Sequence, residues 1–206
     1  LRTTVVAAGV LVAVVLGSLL VESQAATTDL AGKLASPSLG HPFGTDWLGR
    51  DVASRVLVGL RLSLVIGTLA ALGSALIALV LAIFAVTCGD WARALVTWLV
   101  NFFLAVPHLV LLLLIAFTLG GGTTSVVIAV AVTHRPGLTR ILMAQGRVVA
   151  SSDYVAAARS FGHGPWHTGL RHVLPHLLPH VVVGAVLLFP HAILHEAALS
   201  FLGLGV

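Results

Sequence analysis

Long apolar runs recur along the chain, and they constrain its fold more than any other feature. The segments 3–21, 62–86 and 95–119 each approach or exceed the roughly 20 apolar residues that a helix needs to cross a bilayer. Only 9% of the 206 residues are charged, against roughly 25% in an ordinary soluble domain. A water-soluble fold of this size could not hide so much apolar surface. The sequence therefore predicts an all-α, polytopic transmembrane helical bundle.

The polar segments between the runs set the predicted domain organisation. Residues 1–21 form the first transmembrane helix, and residues 22–61 form a charged loop that contains glycine and proline. Residues 62–206 form the transmembrane core, which includes a polar, basic loop at 153–175. The single cysteine, Cys88, excludes an internal disulfide and a metal site made of several cysteines.

Prolines interrupt three of the apolar runs in the core. Pro107 lies inside the run 95–119, where a kink is tolerated if neighbouring helices satisfy the freed backbone. The fourth run, 125–149, is interrupted at His134, Arg135 and Pro136. The fifth run, 173–204, is broken at Pro175, Pro179, Gly184 and Pro190. Each run is counted as one span, so five spans are visible.

The placement of arginines orients these spans. Arginine and lysine in loops favour the cytoplasmic side of a membrane. Around the fourth-to-fifth connection lie Arg135, Arg140, Arg147, Arg159 and Arg171. That connection is therefore predicted to be cytoplasmic, which places the N-terminus inside and the loop 22–61 outside. Because the net charge of +4 follows this membrane topology, membrane lipid is a predicted partner and nucleic acid is not.

Three segments carry a family signature. The first reads G-T-D-W-L-G-R-D-V-A-S-R, and its distinctive members are Gly44, Thr45, Asp46, Gly49, Arg50, Asp51, Ser54 and Arg55. The second lies within residues 153–175, and its distinctive members are Ala157, Ala158, Gly162, Leu174 and Pro175. The third is E-A-A-L-S-F-L-G-L-G at 196–205.

Together these segments resemble the permease subunits of ATP-driven (ABC-type) importers of the dipeptide, oligopeptide and nickel family, which implies a fold like that of a type I ABC importer permease. The second segment is similar to the family's E-A-A loop, although Ala156 stands where that loop has Glu and His172 stands where it has Ile. Such permeases usually continue with an outer loop and a sixth span. The chain starts without Met and stops after an apolar stretch, so we expect a fragment at both ends, with the sixth span truncated.

The resemblance implies a multi-pass protein of a bacterial or archaeal cytoplasmic (inner) membrane. Its partners would be a second permease subunit, two cytoplasmic ATPase subunits and an extracytoplasmic solute-binding protein. The chain has no G-x-x-x-x-G-K-[ST] loop. ATP and Mg²⁺ would therefore bind on the ATPase subunits, and this subunit is predicted to be non-catalytic, with no cofactor of its own.

Residues 153–175 are suited to docking on an ATPase. Ala156, Ala157 and Ala158 favour a helix with small side chains. Gly162 can take a positive φ and end that helix in a tight turn, and Pro175 can begin the next helix. Such a helix–turn–helix can lie in a groove of a partner protein. The alternative is an ordinary basic loop that touches lipid head groups.

The first segment has two compatible interpretations. Arg50 and Arg55 can pair with Asp46 or Asp51 and so lock the loop. The same loop can contact the extracytoplasmic binding protein or the second permease subunit.

The chain contains ten histidines, several of them spaced i, i+4 as ligands on one helix face would be. His191, His195 and Glu196 lie along the fifth span, and His108 lies in the third. Ionisable groups inside a membrane usually face a cavity or a partner. These four residues are therefore candidates for a pore or substrate path. Passage of a metal is one form of this hypothesis, and structural hydrogen bonding is the alternative. No metal ligand set is assigned.

The leading hypothesis is a pore-forming permease subunit of an importer of dipeptides or oligopeptides. The histidines favour an alternative, the import of nickel or a nickel chelate. A membrane scaffold or sensor without transport activity is a second alternative. An intramembrane enzyme is a weaker one, because no nucleophile lies beside His191, His195 and Glu196.

Overall fold

Helices make up most of the described chain. The computed structural model describes residues 2–205, without the side chains of Thr4 and Ala8, so Leu1 of the predicted first helix and Val206 lie outside it. The α-helices are α1 Arg2–Leu20, α2 Glu22–Ala26, α3 Val52–Thr87, α4 Asp90–Ala105, α5 His108–Thr118, α6 Gly122–Thr133, α7 Arg135–Ala150, α8 Asp153–Ser160, α9 Pro165–Thr168 and α10 Leu174–Phe201. A 3-10 turn lies at Leu30–Gly32 and a π-helical turn at Gly169–Val173. The all-α prediction is confirmed.

Length and apolar composition identify the helices that could cross a membrane. Within residues 2–205, three helical stretches qualify: Val52–Thr87, Gly122–Ala150 and Pro165–Phe201. Helices α4 and α5 meet at 97° and would make a fourth span if the bent pair counts as one. The apolar part of α1, Val5–Leu20, is shorter. A helix or a bent pair therefore lies at each of the five predicted positions.

The kink predicted at Pro107 is a complete break between two helices. Helix α4 ends at Ala105, and Val106 is extended, with φ −85° and ψ 134°. A proline ring clashes with a helical conformation of the residue before it. Helix α5 therefore begins as a separate helix at His108. The break thus sets the position of His108 as the first residue of α5.

The predicted interruption of the fourth span coincides with the boundary between α6 and α7 at His134, but it does not separate the two helices into different stretches. Helices α6 and α7 form one stretch across His134, which keeps a right-handed helical conformation (φ −83°, ψ −10°). Pro136 lies in the first turn of α7, where its missing N–H costs little.

The breaks predicted at Pro179, Gly184 and Pro190 in the fifth span were wrong, because helix α10 continues through all three. Pro175 lies in the first turn of α10, as predicted for a proline that begins a helix. The longer helical stretch that contains α10 starts at Pro165. The π-helical turn just before Pro175 brings the N–H of Leu174 to the carbonyl of Gly169. The helix is therefore widened just before Pro175, whereas Pro179 and Pro190 lie within regular α-helix.

The chain divides into two compact units, Leu1–Val65 and Ile66–Val206. The first contains α1, α2, the following loop and the start of α3. Within this unit both Glu22 carboxylate oxygens accept hydrogen bonds from the Arg61 guanidinium at 3.0 Å. That pairing holds the pKa of Glu22 below its ordinary value.

The second unit is built around the small-residue face of α3. Ala75, Ala78 and Ala82 are buried there, and small side chains let helices approach closely. The side chains that pack against this face come from α4, α7, the π-helical turn and α10: Val96, Val100, Leu138, Leu142, Met143, Val173 and Leu177. This core joins α3, α4, α7 and α10, and α10 carries His191, His195 and Glu196.

Candidate functional site

Asp46 is the centre of the loop block at 44–55. One carboxylate oxygen accepts hydrogen bonds from the backbone N–H groups of Leu48 (2.8 Å) and Arg50 (3.0 Å). The other accepts from the side chains of Arg50 (2.8 Å) and Arg55 (2.6 Å). Burial raises the pKa of Asp46, but the N–H groups and side chain of Arg50 together with the N–H of Leu48 outweigh it and lower the pKa to about 2. Both arginines therefore converge on one carboxylate.

Asp51 has a different role from Asp46, because it caps α3. Its Oδ2 accepts hydrogen bonds from the backbone N–H (2.7 Å) and the hydroxyl (2.6 Å) of Ser54. A carboxylate at this position satisfies N–H groups that the helix leaves unpaired. Burial raises the pKa of Asp51, but the bonds from Ser54 and His41 lower it below its ordinary value. No arginine of the described chain is paired with Asp51, so the predicted locking acts through Asp46.

The remaining members of the block hold the backbone of the same loop. The Thr45 hydroxyl donates to the Gly32 carbonyl (2.5 Å) and accepts from the Ala35 N–H (2.8 Å). Gly49 has φ +74°, and a Cβ there would lie 1.6 Å from the Asp29 carbonyl oxygen. Gly44 has φ +72°, and a Cβ would lie 2.4 Å from the Ala35 carbonyl oxygen. The block therefore closes the loop against residues 29–35. The side chains of Phe43, just before the block, and Trp47, within it, remain exposed.

The segment 153–175, hereafter the elbow, folds as a helix, a tight turn and a second helix. Gly162 follows α8 with φ +84°, as the sequence predicts. Its N–H donates to the Arg159 carbonyl (2.9 Å), and the His163 N–H donates to the Ala158 carbonyl (3.2 Å). These two bonds form a Schellman motif, which satisfies the last carbonyls of a helix. Asp153 in the first turn and Arg159 in the last complement the helix dipole.

The side chains of the elbow divide into an inner and an outer set. Val155 and Ala158 are buried and hold α8 in place. Ala156 and Ala157 are exposed, as is Pro175, whereas Leu174 is half-buried. Phe161 is 84% exposed and Trp166 is 62% exposed. Leaving such large apolar side chains in water is unfavourable in free energy, and exposed apolar groups of this kind often mark a binding surface. Sequence reasoning missed these two aromatic residues, although their position on either side of Gly162-His163-Gly164 was a usable signal.

Two of the candidate pore residues come together with a third histidine that sequence reasoning did not select. His108, His134 and His195 each offer a ring nitrogen, and these nitrogens lie within 4.8 Å of one another. The rings are nearly perpendicular, with centroids 4.4 Å (108–134), 4.7 Å (108–195) and 4.6 Å (134–195) apart. The three residues come from the start of α5, the α6–α7 junction and α10. We call this group the histidine triad.

The other two candidates are placed differently. His191 lines the same pocket as the triad, which has a volume of about 510 Å³ and includes Phe103 and Pro107 in its wall. Glu196 is buried and accepts a hydrogen bond from the Ser200 hydroxyl at 2.8 Å. It does not line that pocket. Three of the four candidates therefore line one pocket, and Glu196 lies outside its wall.

The fold and these sites define a class: a polytopic helical membrane protein whose elbow carries two exposed aromatic side chains. The chain belongs to the family described as binding-protein-dependent transport system inner membrane components, whose model matches residues 74–206. This match covers the elbow and the histidine triad but not the loop block.

Curated relatives extend the similarity through the loop. The chain is 37% identical over 177 residues to the probable D,D-dipeptide transport system permease protein DdpC of Escherichia coli (strain K12), an alignment that covers 86% of this chain and 59% of that protein. It is 34% identical over 187 residues to the dipeptide transport system permease protein DppC of Alkalihalophilus pseudofirmus, covering 91% and 62%. The chain thus spans about three-fifths of the length of these relatives.

Proposed function

We propose that this chain is the pore-forming permease subunit of an ATP-driven importer that carries short peptides across a bacterial or archaeal cytoplasmic membrane. The observation that carries the proposal is the elbow, whose inner residues are fixed while Phe161 and Trp166 are offered outward. Membership in a binding-protein-dependent transport family supports it. The names of the relatives, which refer to dipeptides, favour peptide as the substrate.

In this account the subunit binds partners and performs no hydrolysis itself. The elbow docks in a groove of a cytoplasmic ATPase, and two such ATPases act on this chain and a second permease subunit. Closure of the ATPases moves the elbows, and the buried Val155 and Ala158, which anchor α8, transmit the movement to the spans. The loop block faces an extracytoplasmic solute-binding protein, with Asp46 keeping Phe43 and Trp47 at the surface.

Nickel or a nickel chelate is the second candidate substrate, because three imidazoles of the triad converge in one pocket. Imidazole is a suitable ligand for Ni²⁺. The substrate distinguishes the two proposals, and the other parts of the account are common to both.

Uptake in a deletion strain tests these assignments. Deleting the gene should abolish uptake of a labelled dipeptide, and a plasmid copy should restore it. If dipeptide uptake persists while radioactive nickel uptake is lost, the substrate is nickel. If neither uptake changes, the chain is not an importer subunit, and a scaffold or sensor role gains support.

A further inference from the structure

The histidine triad has the composition and the geometry of a metal site rather than of a structural polar cluster. Three histidines from separate helices place one nitrogen each within 4.8 Å of the others. A polar cluster formed for stability would pair donors with acceptors inside itself. No hydrogen bond joins one triad ring to another among the bonds of the described residues, and two of the rings instead bond backbone carbonyls.

Those backbone bonds fix which nitrogen of each ring is available. Nδ1 of His134 lies 3.1 Å from the Val130 carbonyl oxygen, and Nδ1 of His195 lies 2.8 Å from the His191 carbonyl oxygen. A carbonyl can only accept, so each Nδ1 carries the proton and each Nε2 keeps its lone pair. Metal-binding histidines are usually oriented in this way, with the other N–H held by a carbonyl or carboxylate.

The third ring supplies an independent sign. Nε2 of His108 is buried and has no hydrogen-bond partner among the described residues. A buried polar atom without a partner costs about 1–3 kcal/mol, so such an atom in a native structure usually has a ligand or water. Here it sits beside two further histidines whose Nε2 atoms are also uncommitted.

We infer that His108, His134 and His195 bind a single divalent transition-metal ion that takes imidazole ligands, such as Zn²⁺ or Ni²⁺. Three imidazoles leave one position of a tetrahedral ion open, and the pocket of about 510 Å³ gives that position access to water or a small ligand. Zn–N bonds of 2.0–2.1 Å require nitrogens roughly 3.3 Å apart, so the rings would close slightly on the ion. The charged neighbour Arg135 is held over the Phe103 ring, 4.5 Å from its centre, where a cation is attracted by the aromatic face.

Metal binding at these rings does not depend on what the chain transports, so it can be tested apart from uptake. The elbow contains a second group of histidines: His163 and His167 stack at 4.1 Å, and His172 lies 6.0 Å from His167. The test therefore uses the full chain with H163Q and H167Q, purified in detergent and dialysed against Zn²⁺. We expect one retained Zn²⁺ per chain. Loss of all binding in this background would assign the metal to the elbow and overturn the inference.

Single substitutions then locate the ligands. His134→Ala and His195→Ala should each weaken Zn²⁺ binding by at least about tenfold. Removing a residue that only hydrogen-bonds to a metal ligand already costs about that much, and removing a ligand should cost no less. His191→Ala is the matched control, since His191 lines the same pocket but is not a member of the triad. The affinity of this variant for Zn²⁺ should stay unchanged. Equal losses in His191→Ala and His134→Ala, or no loss in His134→Ala, would overturn the assignment.

One further measurement needs no triad variant and therefore does not depend on whether the variants fold. X-ray absorption of the Zn²⁺-loaded background chain should show scattering from three imidazoles. Scattering from fewer than three imidazoles, or from oxygen ligands alone, would contradict the site.

Discussion

The carboxylate of Asp46 accepts a hydrogen bond from the guanidinium of Arg55 at 2.6 Å, which ties the loop block to the first turns of α3. Arg50 binds the same carboxylate oxygen from the other side of the turn, at 2.8 Å. Two cations on one acid make the geometry of the loop depend on the charge of Asp46. Protonation of the Asp46 carboxylate should therefore loosen the loop.

Acid should loosen the loop block in a defined range. Because the folded pKa of Asp46 is lowered from 3.8 to about 2, its ionisation stabilises the loop above pH 4, and that contribution is lost as the pH falls towards 2. Hydrogen-exchange protection of residues 44–55 should decline over this range. Asp46→Asn should show low protection already at pH 6, and its remaining pH dependence should be smaller. Unchanged protection in Asp46→Asn would contradict the role given to this carboxylate.

Gly49 should tolerate no side chain. Gly49→Ala combines φ +74° with a Cβ placed 1.6 Å from the Asp29 carbonyl oxygen, so the loop must shift. Limited proteolysis should cut Gly49→Ala within residues 29–51 several-fold faster than the unsubstituted chain. Gly40→Ala is the control, because no atom lies within 4 Å of its Cβ position. Equal cutting of the two variants would show that the close approach is not needed.

Leu138 and Gly184 should be energetically coupled where α7 packs on α10. A Cβ at residue 184 would lie 2.4 Å from Leu138 Cδ1. Overpacking of this kind costs about 1–3 kcal/mol, so Gly184→Ala should lower the thermal midpoint in detergent. Leu138→Ala opens space, and the double variant should lose less than the two single variants together. Simple additivity of the three measurements would argue against direct packing.

Substitutions at Phe161 and Val155 should have different effects, the first on binding of the elbow to the ATPase and the second on the stability of the chain. Phe161→Ala removes an exposed ring, so the thermal midpoint should stay unchanged while binding to the ATPase weakens by about 2 kcal/mol or more, as for an interface anchor. Val155→Ala removes a fully buried side chain and should destabilise the chain by about 1–3 kcal/mol. A midpoint shift in Phe161→Ala without weaker ATPase binding would reverse these roles.

Ala156→Glu should strengthen the contact with the ATPase. Ala156 is exposed on α8, and the E-A-A loops that this segment resembles have Glu there. A carboxylate near the start of a helix is also mildly favourable. ATPase activity stimulated by substrate should rise in Ala156→Glu relative to Ala156→Gln, which matches its size without its charge. Equal activities would mean that the missing charge has no effect on coupling.

Local rules predicted the features that depend on few neighbours. The apolar runs located the spans, and Gly162 was correctly assigned to a turn, because helix ending at glycine is decided within five residues. The loop block was predicted to lock through its arginines, although the choice of Asp46 over Asp51 depends on Asp51 capping α3 through Ser54. That choice requires knowing where the helix begins.

Features that depend on packing between distant helices could not be predicted. Pro179 and Pro190 were expected to break the fifth span, but α10 continues through both, since the cost of a proline can be met by neighbours that the sequence does not identify. His134 was overlooked beside Arg135 and Pro136 because no spacing rule links it to His108 or His195. The break at Pro107 places His108 at the start of α5, and the packing of α5, the α6–α7 junction and α10 brings the three rings together.

The central claim is that the elbow meets an ATPase in the cytoplasm, and a cross-linking experiment tests it most directly. Ser160→Cys in a Cys88→Ser background carries a single thiol on an exposed position beside Phe161, which keeps its ring. In intact cells this thiol should cross-link to a nucleotide-hydrolysing subunit and should resist a membrane-impermeant thiol reagent. Labelling of residue 160 from outside the cell, with no cross-link to an ATPase, would contradict the account.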